Sequence, residues 1–225
     1  MNGEIINVAI DGPAGAGKST VARGAAKQLG YIYVDTGALY RAVGLNALRN
    51  KIDTKNAKAV AESISRIKVD IVFSSGEQRV LLNGEDVSEE IRTPDASMAA
   101  SNVSAVPEVR AFLFDLQRDI AKRNSCIMDG RDIGTVVLPD AQVKIFLTAS
   151  PETRADRRYK ELIEKGTQAD YNSVLDDIIK RDYNDMHRDI APLKPAEDSV
   201  MFDTTGLALE ASVAAVIKII KEKIQ

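Results

Sequence analysis

The 225-residue sequence predicts an α/β fold in which a parallel sheet of about five strands carries helices on both faces. Short apolar runs alternate with stretches whose apolar residues recur at helical spacing, which is the pattern of strand–helix–strand units. A glycine-rich segment joins the first apolar run to the first helical stretch, at residues 12–17. One pair of β-rich segments interrupts the alternation and predicts an inserted hairpin.

The elements are predicted in order along the chain. Short apolar runs bounded by turn or acidic residues predict strands at 5–10, 31–34, 126–128, 143–147 and 200–202. Helical spacing predicts helices at 17–29, 38–48, 60–67 (part of a helix), 109–120, from 151, from about 173, and at 207–224. Segments 68–73 and 79–82, joined by Ser74, Ser75, Gly76 and Glu77, predict the hairpin, and we place its insertion at 66–103.

Composition and charge exclude several classes of protein. With 44% apolar and 28% charged residues, the chain is neither disordered nor a disulfide-stapled mini-protein. The 30 basic and 33 acidic residues nearly balance, so we expect no nucleic-acid or membrane partner, and anion recognition must come from local clusters. We expect a monomer. No stretch reaches the ~20 apolar residues of a membrane span, and no basic leader is seen, so we expect a cytoplasmic protein.

The lone cysteine and the lone histidine limit the chemistry further. Cys126 cannot form an intramolecular disulfide or build a cysteine metal site, which indicates a reducing compartment. His187 makes histidine-ligated metals and Ser-His-Asp catalysis poor interpretations, and a surface histidine is the simpler one.

The strongest motif is a G-x4-G-K-[ST] loop between the first strand and the first helix. Its glycines let backbone N–H groups wrap a phosphate, Lys18 brings positive charge to the transferring phosphate, and Ser19 offers a hydroxyl to Mg²⁺. The motif predicts an ATP site formed by Gly12, Pro13, Ala14, Gly15, Ala16, Gly17, Lys18, Ser19 and Thr20. The alternative is a chance glycine-rich turn.

Three arginines open the helix that is predicted from residue 151. Arg154, Arg157 and Arg158 are spaced by three and four residues, so they share one helix face and could clamp a polyphosphate. The alternative is a solvated charged face paired with Asp156 and Glu161. A turn at Gly166 follows, as expected of a mobile lid.

A second charged row lies on the helix predicted from about residue 173. Arg181, Asp185 and Arg188 span roughly 60° of its surface, as suits a cleft wall. We expect a buried apolar stripe beside them, formed by Leu175, Ile178, Ile179, Tyr183 and Met186. The alternative is an ordinary row of ion pairs.

Two further segments leave strand ends, where open α/β sheets bind ligands. After residues 126–128, Asp129 is expected to orient Mg²⁺ or Lys18, and Arg131 and Asp132 to face substrate; a capped turn is the alternative. After residues 31–34, Thr36 offers a hydroxyl at a helix N-terminus and Arg41 a cation for a second anion. The simpler interpretation of Thr36 is that it only caps the helix.

Taken together, these motifs resemble the bacterial cytidylate kinase family, which uses ATP to phosphorylate CMP and dCMP. The resemblance is carried by residues 10–19 (IDGPAGAGKS), 35–41 (DTGALYR) and 129–137 (DGRDIGTVV), with the Arg157–Arg158 pair and the 181–188 segment. It covers nearly the whole chain and implies a single P-loop kinase domain over 1–225. Its expected parts are a core (1–65, 104–150, 189–225), a monophosphate-binding insertion (66–103), a lid (151–170) and a substrate-contacting helix (171–188).

The resemblance also implies roles for individual residues. Lys18, Arg157 and Arg158 would stabilise the transferring phosphate, and Arg131 would bridge from the acceptor side. The residues expected around CMP are Arg41 and Arg131 on the phosphate, Ser101, Arg110 and Arg188 on cytosine, and Asp132, Asp185, Arg181 and Thr36 around the ribose and base edge. Mg²⁺ would be held by Ser19, through water with Asp129.

Other activities stay open on sequence grounds. A monophosphate acceptor is already ionised near neutral pH and needs no general base, which suits a chain with one histidine. AMP, UMP or shikimate are alternative acceptors. A nucleotide-regulated binding protein that transfers nothing is the alternative from another class, although such a switch needs no second phosphate pocket.

Overall fold

The structure is a computed structural model that describes residues 4–74, 77–164 and 166–225. Ser75 and Gly76 of the predicted hairpin turn, and Lys165 of the predicted lid, lie outside the described residues. Within the described ranges no helix has both the length and the apolar character needed to cross a bilayer.

Eight strands and eight α-helices are described, and they follow the predicted order closely. The strands are β1 (Asn7–Asp11), β2 (Ile32–Asp35), β3 (Val69–Ser74), β4 (Glu77–Leu82), β5 (Glu85–Asp86), β6 (Cys126–Gly130), β7 (Val143–Thr148) and β8 (Val200–Asp203). The α-helices are α1 (Lys18–Leu29), α2 (Thr36–Arg49), α3 (Ala57–Ile64), α4 (Pro94–Val103), α5 (Pro107–Arg123), α6 (Pro151–Glu164), α7 (Tyr171–His187) and α8 (Leu209–Lys223).

A five-stranded sheet with the order β2-β6-β1-β7-β8 confirms the predicted fold class. β1 pairs in parallel with β6 and β7, and β7 pairs in parallel with β8. Val8, Ala9 and Ile10 of β1 are all fully buried. Because successive strand residues point to opposite faces, both faces of the sheet are covered at β1.

The predicted hairpin is part of a small antiparallel sheet with the order β3-β4-β5. The third strand, β5, was not predicted because it is only two residues long and acidic. The structure also adds α4, which begins at Pro94 and whose N-cap Thr93 accepts a hydrogen bond from Ala96 N. Small residues fill α4, so its sequence lacks the strong apolar period that would have revealed it.

Contacts divide the chain into two compact units. One unit comprises Ile32–Ser125 with the segment up to Ile5, and the other comprises Ile6–Tyr31 and Cys126–Gln225. The predicted boundaries of the insertion, the lid and the substrate-contacting helix stay predictions.

The unit that contains Ile32–Ser125 has a core between its helices and the small sheet. Leu39, Val43, Val80 and Leu113 are buried together there. α2 packs closely on α4 at Gly44, where a Cβ would lie 2.8 Å from the Ala99 Cβ.

In the unit that contains the P-loop, α1 packs against α8 and against β6. A Cβ at Gly24 would lie 2.9 Å from Val213 Cγ2, so this glycine permits the close approach of α1 and α8. α6 and α7 pack on each other through a separate cluster that includes Ala155, Val174 and Ile178. The predicted lid helix and its neighbour are therefore joined by apolar packing.

Candidate active site

The loop from Gly12 to Gly17 leads from the end of β1 into the first turn of α1. Gly17 precedes the helix in the left-handed region (φ 89°), and no side chain caps the helix. The first N–H groups of α1 are thus left to a ligand, and a helix N-terminus with such donors favours an anion.

Gly12 shows why this loop requires glycine at its start. Its φ is +149°, and a Cβ at this position would lie 1.9 Å from the carbonyl oxygen of Leu147 in β7. Any side chain would therefore push the loop away from the sheet.

Lys18 and Ser19 lie on the first turn of α1, at the mouth of the loop. Lys18 Nζ donates to the carbonyl oxygen of Pro13 at 2.8 Å, and Ser19 Oγ donates to Asp129 Oδ2 at 2.7 Å. The pKa of Lys18 is lowered to about 7, mainly by burial and also by the nearby Arg131, although the neighbouring carboxylates oppose the shift. A phosphate bound beside Lys18 would favour the charged form of this lysine.

A buried carboxylate at the end of β1 organises the segment after β6. Asp11 accepts hydrogen bonds from the backbone N–H of Ile133 at 2.8 Å and of Gly134 at 2.7 Å. These residues begin a π-helical turn, Ile133–Val137, which the sequence analysis did not predict. π-Helical turns are rare and occur often at functional sites. An acid directly after a buried strand was the signal that could have identified Asp11.

The charged segment after β6 meets the C-terminal end of α7. Arg131 Nε donates to Asp185 Oδ2 at 2.8 Å, and Arg188 lies 3.5 Å from Asp132 Oδ1. Four of the residues expected around CMP thus form two opposite-charge pairs in this unit. Arg181 lies on α7, one turn before Asp185.

The apolar stripe expected beside this row is buried only in part. Ile178 is buried and Leu175 packs against its cluster, but Ile179 is half-exposed, Tyr183 is 62% exposed and Met186 is 45% exposed. The buried face of α7 passes instead through Val174, Ile178 and Asp185. The prediction was wrong here because Asp185, a charged residue, occupies a buried position through its pairing with Arg131.

The three arginines of α6 lie in three different environments. Arg158 is part-exposed and pairs with Glu161 at 2.9 Å, as the alternative interpretation of a charged face expects. Arg157 donates through Nη2 to Thr204 O at 3.0 Å and through Nη1 to Ala16 O at 3.3 Å, against the phosphate-binding loop. Arg154 is buried and pairs with Asp182 of α7.

In the other unit, Asp35 and Arg41 define the start of α2. Asp35 Oδ1 accepts from Ala38 N at 3.0 Å, so Asp35 caps the helix, and the suggestion that Thr36 is the cap was wrong. Arg41 folds back over this turn and donates to Asp35 Oδ2 at 2.7 Å. Gly37 leaves room for the capping carboxylate, since a Cβ there would lie 3.1 Å from Asp35 Oδ1. Among the described residues, none accepts a hydrogen bond from the buried Arg41 Nε.

Other expected acceptor-side residues lie around α2. Thr36 is buried at its first turn, and the guanidinium of Arg110 lies 5.9 Å from the centre of the Tyr40 ring. Ser101 is on α4, which packs on α2. Gln78 of β4, which the sequence analysis missed, accepts from Asp35 N at 2.8 Å and donates to Asp35 O at 3.1 Å. It holds the end of β2 and carries no motif that would reveal it.

A magnesium ion fits the donor set at Ser19 and Asp129. A hydroxyl and a carboxylate oxygen are hard ligands of the kind Mg²⁺ takes when nucleotide phosphates complete its coordination. In the described part of the chain, no group of three or more His, Cys, Asp or Glu side chains could hold a metal alone. A metal here would depend on the nucleotide.

Comparison with known proteins matches the chain to one family. The cytidylate kinase family model matches residues 8–222. The chain is 52% identical to the cytidylate kinase of Caldicellulosiruptor saccharolyticus over 214 residues, which is 95% of each protein. It is 49% identical to that of Carboxydothermus hydrogenoformans (97% and 98% covered) and 48% identical to that of Streptococcus mutans (98% and 96% covered).

A solved structure shows the same fold at low sequence identity. An uncharacterized protein from Eubacterium ventriosum has a TM-score of 0.52 and 13% identity, with 96% of this chain and 98% of that one covered. At this identity the likeness concerns the fold alone. The family match and the full-length relatives, together with the phosphate-binding loop and the paired arginines, establish that the chain belongs to the cytidylate kinase family.

Proposed function

We propose that this protein transfers the γ-phosphoryl group of ATP to CMP and dCMP, giving ADP with CDP or dCDP. The observation that carries the proposal is the family match over residues 8–222. The arrangement of charged side chains within each unit supports it independently.

The donor side is proposed for the loop and first turn of α1. Gly12 to Thr20 would hold the ATP phosphates through backbone N–H groups, with Lys18 on the transferring group. Arg157 already lies against the loop at Ala16, so a small movement of its guanidinium would bring it to the phosphates. Arg158, on the exposed side of α6, would exchange Glu161 for phosphate as the lid closes.

Residues from each unit are proposed to bind the acceptor, CMP. Arg41 has a buried Nε–H without an acceptor among the described residues, and the CMP phosphate would supply that acceptor. Arg131 is also proposed to bind the CMP phosphate. Arg188, Arg110 and Ser101 are proposed for the cytosine. Asp132, Asp185, Arg181 and Thr36 are proposed for the ribose and base edge.

Magnesium is proposed as the cofactor, held by Ser19 and through water by Asp129. When bound, the ion neutralises charge on the ATP phosphate oxygens. Ser19 Oγ would turn from Asp129 toward the ion, and Asp129 would orient the ion's water ligands.

The chemistry requires positioning and charge neutralisation more than proton transfer. The phosphate of CMP has a second pKa near about 6, so its oxygen is ionised at neutral pH and needs no base. Arg41 and Arg131 would lower the repulsion between the two nucleotides, and Lys18 would stabilise charge on the group in flight. Exclusion of water would prevent hydrolysis of ATP.

A panel of acceptors tests the assignment directly. With Mg-ATP, CMP and dCMP should be phosphorylated at least about tenfold more efficiently than AMP, UMP or shikimate. Lys18→Ala should abolish turnover, whereas Lys27→Ala, which changes an exposed lysine on the same helix, should not. Preferred turnover of AMP or shikimate with CMP inert would contradict the proposal.

A further inference from the structure

Arg154 differs from the other arginines of α6 because its guanidinium is enclosed. Its side chain is only 3% exposed. Nε donates to Ala149 O at 2.9 Å, Nη1 donates to Ala14 O at 3.1 Å and to Asp182 Oδ1 at 2.9 Å, and Nη2 donates to Asp182 Oδ2 at 2.6 Å. An arginine has five N–H donors, and these contacts use four of them. At most one is left for a phosphate.

Asp182 is the partner that makes this burial tolerable. A buried guanidinium needs a counter-ion, and the two-pronged contact with a carboxylate is the strongest form of such a pair. The Asp182 side chain is itself only 13% exposed. Since Asp182 belongs to α7, the pair joins α7 to the start of α6 beside their shared apolar cluster.

The contact with Ala14 fixes one peptide of the phosphate-binding loop. In a trans peptide the C=O of one residue and the N–H of the next point in opposite directions. Because Arg154 holds the Ala14 carbonyl, the N–H of Gly15 must point away from Arg154. The loop also rests on the arginine stem, since a Cβ at Gly15 would lie 3.4 Å from the Arg154 Cβ.

We propose that Arg154 and Asp182 are positioning residues, which orient the Ala14–Gly15 peptide so that the Gly15 N–H faces the ATP phosphates. This inference rests on the proposed function and replaces the direct ATP contact expected for Arg154 from its spacing. It also ties the donor loop to α7, the helix that carries Arg181 and Asp185.

The test measures ATP affinity by titration calorimetry in the full chain, without an acceptor. Asp182→Asn keeps the shape of the side chain but leaves Arg154 without its counter-ion, so ATP binding should weaken by about tenfold. Arg154→Lys keeps the charge but cannot reach both carbonyls and the carboxylate, and should weaken ATP binding by a similar factor. Asp177→Asn, at an exposed position of α7, should leave ATP affinity unchanged. The KM for CMP should stay within about twofold in all three variants.

Combining the changes separates positioning from direct contact. If the pair acts as a unit, Arg154→Met with Asp182→Asn should weaken ATP binding no more than Arg154→Met alone. If Arg154 bound the phosphates directly, Asp182→Asn would release it and leave ATP affinity unchanged or raised, which would overturn the proposal. Additive losses would overturn it as well.

The readout distinguishes this inference from the proposed function. ATP affinity is measured without any acceptor, so a protein that fails to phosphorylate CMP would refute the proposed function and leave this test valid. Thermal melting reports whether each variant is folded. If Asp182→Asn does not fold, the test uses Arg154→Lys instead. Unchanged ATP affinity in folded Arg154→Lys would refute the positioning role.

Discussion

Asp11 is a buried acid at the start of the phosphate-binding loop. Burial raises its pKa to about 6, although two backbone N–H groups and Lys18 favour the charged form. Its carboxylate holds the first N–H groups of the π-helical turn, directly after Arg131 and Asp132. One side chain therefore connects the strand that begins the ATP loop with the segment proposed for the acceptor.

The raised pKa of Asp11 predicts how stability depends on pH. The folded protein binds this proton more tightly than the unfolded chain, whose pKa is near 3.8, so this contribution to the free energy of unfolding falls as pH rises from about 4 to 6. The total change is about 3 kcal/mol. The side chain of Asp11→Asn does not titrate, so the variant lacks this loss of stability. Between about pH 4 and pH 6, the free energy of unfolding of the variant minus that of the wild type should therefore rise by about 3 kcal/mol, as measured by urea denaturation. A difference that is constant with pH would contradict the account.

Arg188 supplies a second test with single residues. It lies beside Asp132 and donates through Nε to the carbonyl oxygen of Ala191 at 2.7 Å. If it contacts the cytosine, Arg188→Met should raise the KM for CMP by at least about tenfold and change the KM for ATP less than twofold. Lys194→Met, at an exposed position nearby, serves as the control in steady-state kinetics. Equal losses with every acceptor would exclude a base-reading role.

Among the elements, the loop from Gly12 to Gly17 depends most clearly on its backbone. A side chain at Gly12 would collide with the backbone of β7, whereas a Cβ at Gly30, which also has a positive φ (+71°), would meet nothing within 4 Å. Gly12→Ala should therefore weaken ATP binding by about 100-fold or more, because the loop must move. Gly30→Ala should lower stability by about 1 kcal/mol and leave ATP binding intact.

Calorimetry and thermal melting of the two glycine variants check this comparison. Equal ATP affinity in Gly12→Ala and wild type would show that the loop tolerates the shift, and the proposed backbone recognition of phosphate would then be wrong.

The sequence predicts elements well where one strong local signal dominates. Every strand of the large sheet was predicted, because each is a short apolar run next to a turn. Boundaries moved where capping decided them. Asp170 accepts a hydrogen bond from Ser173 N and caps α7, which begins at Tyr171, two residues before the start that helical spacing alone predicts. α4 and the π-helical turn were missed, since small residues in the first and a backbone contact with Asp11 in the second leave no periodic pattern.

For the candidate site, motifs predict which residues lie close together better than what each of them contacts. Arg131, Asp132, Asp185 and Arg188 meet in one unit, as their placement at a strand end and on one helix face suggested. Spacing alone gave Arg154, Arg157 and Arg158 one shared face. The environments of Arg154 and Arg157 depend on Asp182 and Thr204, which are long-range contacts that spacing does not encode. The pair of Arg158 with Glu161 is the local contact that the charged-face alternative expected.

For the whole molecule, the cationic groups are distributed over both units. The P-loop and the arginines of α6 belong to one unit, and Arg41 with Arg110 belongs to the other. A single-nucleotide switch would need only the first set. Direct transfer requires that ATP and CMP are bound at the same time and that phosphate passes from one to the other.

Transfer of label from ATP to CMP tests this requirement most directly. ATP radiolabelled at the γ-phosphate is mixed with the protein, Mg²⁺ and CMP, quenched in acid within a single turnover, and the products are separated. If transfer is direct, the label appears in CDP at the rate at which it leaves ATP, and no label is found on the protein. Label on the protein before CDP forms, or release only as inorganic phosphate, would contradict direct transfer to CMP.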